Sequence, residues 1–287
     1  MPDTLTDLLF PAYGVRGALV EITSGIDAML GARHYAPDVR RLVGQAIAAM
    51  PLLASHSKFE GRINLQFQGK GALQMLVAQI DRHLQVRGMA KAAADAQGDF
   101  ETLMHDGTLA VMLDPDAGTQ GYQAFVPTRG ATLSRALEGY FAQSEQLPTM
   151  LRLALGPQRI AGILLQRLPE GSFDADGWDH LQILLDTLGE EEHGAIDGAT
   201  LLRRLFHEED LRVFEPRPLK LACRCDRGSI ASLLLSLGES EIEPVLVEQG
   251  KVDVTCEFCG QQYLFMPDEV RQLYAAERSE PATATRH

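Results

Sequence analysis

All four cysteines of this 287-residue chain fall in two tight pairs near its C-terminal end. "LACRCDRGSI" carries Cys223 and Cys225, and "VTCEFCGQQY" carries Cys256 and Cys259. Four soft thiolates can close a tetrahedral shell on zinc, and a shell of four protein ligands leaves no position for a substrate water. The pattern therefore points away from a hydrolytic zinc site. Gly260, directly after the C-x-x-C pair, suits a zinc knuckle, where backbone N–H groups approach the sulfurs. A metal shared by the two pairs can fold a segment of roughly 60 residues, because structural zinc contributes on the order of 10–16 kcal/mol. A whole domain is stable by only about 5–15 kcal/mol, so loss of the metal is expected to unfold the module.

The spacing leaves more than one use open. One reading is a zinc ribbon that only holds a small domain together. The one-residue gap between Cys223 and Cys225 adds a second. Paired cysteines in structural zinc sites are usually about two to four residues apart. A disulfide across a C-x-C pair forms with strain, and strained, exposed disulfides are the labile, regulatory ones. Zinc also keeps thiols as thiolates, the form that peroxide attacks. Oxidation would then expel the metal and the fold that depends on it. A third reading is a thiol–disulfide oxidoreductase using Cys256 and Cys259, which the zinc-like partner pair disfavours.

Charge narrows the partners. The formal net charge is −13 and the isoelectric point about 5.0, so a phosphate backbone is repelled unless a local basic patch exists. "VRR" at 39–41 and "LRR" at 202–204 look like solvated helix faces. An RNA- or ribosome-binding zinc ribbon is the alternative function, and the acid-rich segment 219–274 disfavours it. The N-terminal "MPDTLTDLLFPAYG" lacks the basic and apolar regions of a signal peptide. No apolar run approaches the roughly 20 residues of a membrane span. The expectation is a soluble cytoplasmic protein, where paired cysteines are metal or redox centres more often than structural disulfides.

The rest of the chain reads as α+β. "VRGALVEI" at 15–22 is strand-like. Residues 37–54 place Val39, Leu42, Val43, Ile47, Met50 and Leu53 at helical spacing behind Pro37. "GRINLQFQ" alternates Ile63, Leu65 and Phe67 with Asn64, Gln66 and Gln68, as a half-buried strand does. "GTLAVMLDP" and "GYQAFVP" form a strand pair across "DPDAGTQG", residues 132–147 return to helical spacing, and 159–169 is a buried strand. From this follows an α/β core domain at 1–170. Residues 171–218 read as a linker of short amphipathic helices (181–188 and 201–206), broken at Gly189, Gly194 and Gly198. Helices this short persist only when packed on a neighbour. A zinc-binding domain at 219–275 and a disordered tail at 276–287 complete the chain.

No catalytic constellation emerges, so the chain reads as a non-enzyme. "QGKGALQ" lacks the third glycine of a dinucleotide loop, and Gly69–Gly71 reads as a hairpin turn. "HEEDL" at 207–211 has Leu211 where a metalloprotease motif needs histidine, and "SEQ" at 144–146 is a polar helix end.

Taken together, the motifs resemble the 33-kDa heat-shock chaperones, a family of redox-regulated holdases. "CEFCGQQYLF" (256–265) resembles the family's second cysteine pair, and "EGYFAQSEQLPT" (138–149) and "GILLQRLP" (162–169) its core signatures. "VRGALVEI" and "KFEGRINLQFQGKG" are similar to its early strands. "CRCDRG" departs from the more basic stretch that many members carry. The resemblance implies an α/β core, a metastable helical linker and a C-terminal redox switch. It implies one zinc per chain on Cys223, Cys225, Cys256 and Cys259 in the reduced, inactive state. It further implies Cys223–Cys225 and Cys256–Cys259 disulfides on oxidation, zinc release, and a homodimer that holds unfolding clients without nucleotide.

Overall fold

The helical spacing that begins at Pro37 becomes the central element of a computed structural model of the chain, which describes residues 3–31, 33–55, 61–115, 121–128, 132–169 and 176–279. The chain forms two units, Met1–Ala222 and Cys223–His287.

In the first unit, α2 (Pro37–Ser55) lies between two six-stranded sheets and is buried along most of its length. One sheet has the order β10-β1-β2-β9-β8, from β1 (Thr4–Phe10), β2 (Val15–Ile22), β8 (Thr149–Leu155), β9 (Ile160–Arg167) and β10 (Arg212–Val213). A short β11 (Arg217–Pro218) also pairs with β1. The other sheet runs β12-β5-β4-β3-β6-β7, from β3 (Gly61–Gly69), β4 (Leu73–Asp81), β5 (Gln85–Ala92), β6 (Gly107–Pro115), β7 (Tyr122–Val126) and β12 (Lys220–Leu221). Glycines let α2 approach both sheets. A Cβ on Gly88 of β5 would meet Ile47 at 2.6 Å, and one on Gly162 of β9 would meet Leu52 at 2.8 Å. Two short helices, α1 (Ile26–Leu30), which lies against α2 and β5, and α3 (Phe100–Leu103), complete the unit.

The expected strands at 15–22 and 61–68, the β3–β4 turn at Gly69–Gly71 and the β6–β7 pair all form. Part of the "DPDAGTQG" turn, 116–120, lies outside the described residues. Asn64 is a local departure. It alternates as an outward residue but is 4 % exposed and donates to Asp114 at 2.5 Å. The helix at 132–147 is α4 (Leu133–Tyr140), continued by one π turn at Phe141–Glu145 and ended by Gln146 at φ +55°. Glu138 there accepts from the Leu151 N–H at 2.8 Å and from Arg152 at 3.0 Å, which ties the signature "EGYFAQSEQLPT" to β8.

The 171–175 stretch of the expected linker lies outside the described residues. Beyond it, α5 (Gly177–Asp186), α6 (Glu190–Ala195) and α7 (Gly198–Phe206) lie on the first sheet. Their neighbour is the sheet face away from α2. Leu181, Leu185, Leu188, Leu201, Leu202 and Phe206 are buried there against Leu8, Phe10, Val15, Leu19, Ile163 and Leu165. Leu184 and Leu205 are half-buried, while Ile183 is 66 % exposed. Cover on both faces explains why β9 is buried at seven consecutive residues.

The glycines of this segment play a different part from the expected breaks. Gly194 lies inside α6, with its backbone against Gly156 in the β8–β9 turn, and Gly198 opens α7 against Leu19 and Glu21 of β2. Both are needed for close approach. Only Gly189, the N-cap residue of α6, separates helices as expected.

The second unit contains α8 (Arg227–Leu237), α9 (Glu239–Gln249), the hairpin β13 (Val252–Thr255)–β14 (Gln262–Phe265) and α10 (Pro267–Ser279). Ile230, Leu234, Ile242, Leu246, Val252, Phe265, Val270 and Tyr274 form its small core. Residues 276–279 of the expected tail are the last turn of α10, and 280–287 lie outside the described residues.

Candidate metal centre

The β13–β14 hairpin builds half of the site. Its turn holds Cys256 and Cys259, and Gly260 follows at φ +71°, a left-handed conformation that glycine adopts without strain. The Gly260 N–H donates to the Cys256 carbonyl and the Cys256 N–H to the Gln261 carbonyl, both at 2.9 Å. These two bonds close a tight turn that holds both cysteines on one side of the hairpin end. The other half is the coil that enters α8. Asp226, directly after Cys225, caps that helix by accepting from the Ser229 N–H at 2.8 Å. Arg227 lies 4.3 Å over the Phe265 ring and pairs with Glu269 at 2.7 Å. Asp226 and Arg227 thus anchor the C-x-C pair to α8 and to the hairpin. The D-x-x-S spacing was a readable helix-start signal; the reach of Arg227 to Phe265 was not.

All four sulfurs converge. The Sγ atoms lie within 4.8 Å of one another. The closest approaches cross between the pairs, with Cys223 3.5 Å from Cys256 and Cys225 3.3 Å from Cys259. A tetrahedral ion about 2.3 Å from each sulfur needs sulfurs roughly 3.8 Å apart. The donor set and its spacing therefore fit a metal ion of the zinc type. All four cysteines are reduced and half-buried, so solvent reaches the site.

The thiols share protons unequally. Burial opposes ionisation of Cys223, but hydrogen bonds from the Cys225 backbone and the other three thiols outweigh it and bring Cys223 down to about 7. Burial, and then the loss of a proton donated to Cys223, push Cys225 up. Burial likewise raises Cys259, with the Cys223 thiolate adding to the effect. Tyr263 of β14 is raised by its contact with Cys225. A cluster that stabilises one thiolate on three thiols must release further protons as it takes a divalent cation.

No helix among the described residues is long and apolar enough to cross a membrane. A family model described as "Hsp33 protein" matches residues 3–266. The 33 kDa chaperonin of Pseudomonas paraeruginosa is 40% identical over 97% of each chain. That of Nitrosococcus oceani is 38% identical over 99% of each. The crystal structure of a 33 kDa chaperonin from Thermotoga maritima superposes with a TM-score of 0.80, covering 96% of this chain and 99% of that one. At 20% identity this last likeness is one of fold.

Proposed function

This chain belongs to the Hsp33 family, and from that premise we propose that it is a redox-regulated, ATP-independent chaperone that holds unfolding proteins under oxidative stress. In the reduced state one zinc ion per chain is held by Cys223, Cys225, Cys256 and Cys259, and the chaperone is inactive. The ion supplies a cross-link between two distant segments and keeps its sulfur ligands ionised.

The observation that carries this reading is the crossing of the sulfur contacts between pairs. Those contacts span 33 and 34 residues. A cross-link closing such a loop removes about 4 kcal/mol of chain entropy from the unfolded state. Oxidation exchanges it for Cys223–Cys225 and Cys256–Cys259 disulfides, which tie neither segment to the other. In each exchange two thiolates give two electrons to one peroxide, which takes two protons from solvent and leaves as two waters. The second unit then keeps only its eight-residue core, and small domains without a metal or disulfide clasp are marginal.

Loss of that unit frees one end of the strip β10–β12, whose last strand ends two residues before Cys223. Fraying from that end strips β12 from β5 and then β11 and β10 from β1, an edge of the sheet on which α5–α7 dock. Activation brings two chains together as a homodimer, and clients are taken up without nucleotide. The setting is the cytoplasm, where reduction restores the zinc-bound state.

Zinc release and client protection, followed together during peroxide treatment at mild heat, test the proposal. One zinc per chain should leave as protection against client aggregation rises. Equal protection by the reduced, zinc-bound form would refute the switch.

A further inference from the structure

The least ordinary buried group of the first unit is His193 of α6. It is 2 % exposed, and neither ring nitrogen has a hydrogen-bond partner among the described residues. A buried polar side chain without partners costs stability. Here it is one of only two buried residues of its helix, the other being Gly194. The helix packs on β8 and β9, seated by the Gly194–Gly156 backbone contact. Little apolar area therefore holds α6 in place.

The charges around His193 favour its neutral form. Arg152 of β8 and Arg159, just before β9, are the cations that act on it. The nearby carboxylates are engaged elsewhere. Glu138 of α4 and Asp186 of α5 hold Arg152, and Asp186 also lies 3.7 Å from Arg135. Glu21 of β2 pairs with Arg159. On α6 itself, Glu192 pairs with Arg204, Glu190 accepts from Gln45 at 2.8 Å, and Glu191 is exposed. A cleft of about 330 Å³ that His193 lines with Arg152, Asp186 and Glu190 gives protons a route in.

We propose that His193 is an acid latch: its protonation lifts α6 off β8 and loosens the α5–α7 segment while the cysteine cluster keeps its metal. The imidazolium would be a buried cation beside two half-buried arginines, without an acceptor of its own. Burial first, then Arg152 and Arg159, push the imidazole down to about 4, against about 6.5 for a solvated histidine. Because the docked form binds the proton less well, its stability is complete above about pH 6.5 and falls as pH drops towards 4. The opening equilibrium rises about tenfold at pH 5.5 and about thirtyfold at pH 5, relative to pH 8. In the light of the proposed function, acid is a second trigger for the same segment.

The test uses the reduced, zinc-bound full chain. Amide exchange of residues 190–195, corrected for intrinsic rates, is measured from pH 8 to pH 5 with zinc retention followed in parallel. The expected result is about tenfold more opening at pH 5.5 with zinc bound, and no such pH dependence in His193→Phe. The same dependence in His193→Phe, or opening only as zinc leaves, would overturn the latch. Should that variant fail to fold, the NMR titration of His193 in the wild type decides: a midpoint at or above 6.5 refutes the proposal. Opening at pH 5.5 without client capture would leave the latch standing and count against the chaperone reading.

Discussion

Leu185→Ala separates the stability of the α5–α7 segment from that of the sheet beneath it. Leu185 is fully buried in the cluster that joins α5 to β1, β2 and β9, beside Leu181, Leu188 and Phe206. Truncation of a buried leucine to alanine costs roughly 2–5 kcal/mol. Taking about 3 kcal/mol, the local opening equilibrium rises about a hundredfold, since 1.4 kcal/mol is a factor of ten. The sheet should feel little of this, because its other face is held by α2. Native-state amide exchange of the reduced, zinc-bound protein reads the effect directly. Peptides within 177–206 should lose about two orders of magnitude of protection, while those from β2 and β9 beneath the segment, and from β3 and β4 of the other sheet, keep theirs. Trp178, half-buried against the same cluster, should shift its emission to the red. Ile183→Ala, at a side chain 66 % exposed, is the control and should change stability by less than about 0.5 kcal/mol. Equal loss of protection in α5 and in β3–β4 would refute the reasoning, because the segment would then open only with the whole unit. Unchanged exchange in α5 would refute it too. If the segment restrains the chaperone, reduced Leu185→Ala should protect a client better than the wild type.

Other perturbations probe the remaining contacts. Gly194→Ala puts a Cβ 2.8 Å from the backbone of Gly156, so α6 must lift; wild-type exchange at 190–195 would contradict the close approach. Cys223→Ser removes one of the four converging thiols and should leave the core around Leu234 and Phe265 without amide protection in the presence of zinc. A folded core at unchanged zinc stoichiometry would count against the site. Asp226→Ala removes the α8 cap at a cost of about 1 kcal/mol, which should weaken apparent zinc affinity roughly fivefold where folding and binding are coupled. Equal affinities in a chelator competition would show that the cap does not support the site. Protons compete with the metal for the thiols, so zinc affinity should fall as pH falls. Below the value of about 7 for Cys223, the loss should steepen, because its proton must also be displaced. A flat competition profile from pH 8 to pH 6 would refute thiolate ligation.

The features readable in the sequence are those set by local pattern. The helical period of α2, the alternation of β3, the turn at Gly69–Gly71 and the two cysteine pairs depend on neighbours within a few residues. The strands β1 and β5 were not legible, because their patterns are broken. In "TLTDLLF", inward Leu5 and Leu8 are out of phase for one face, and the strand is covered on both. In "QVRGMAKA", Gly88 is small because Ile47 of α2 fills the space above it. The glycines of the linker failed for the same reason. A break and a close approach look alike until the facing backbone is known, and for Gly194 that backbone lies at Gly156. The amphipathic faces of α5 and α7 were visible, but not the surface that receives them. Such a surface decides how the segment behaves. Each helix buries one narrow stripe, α6 almost none, and their exposed faces hold charge and Ile183. A segment bound by so few side chains can open well below the stability of the sheet it covers, which is what the proposed release of α5–α7 requires.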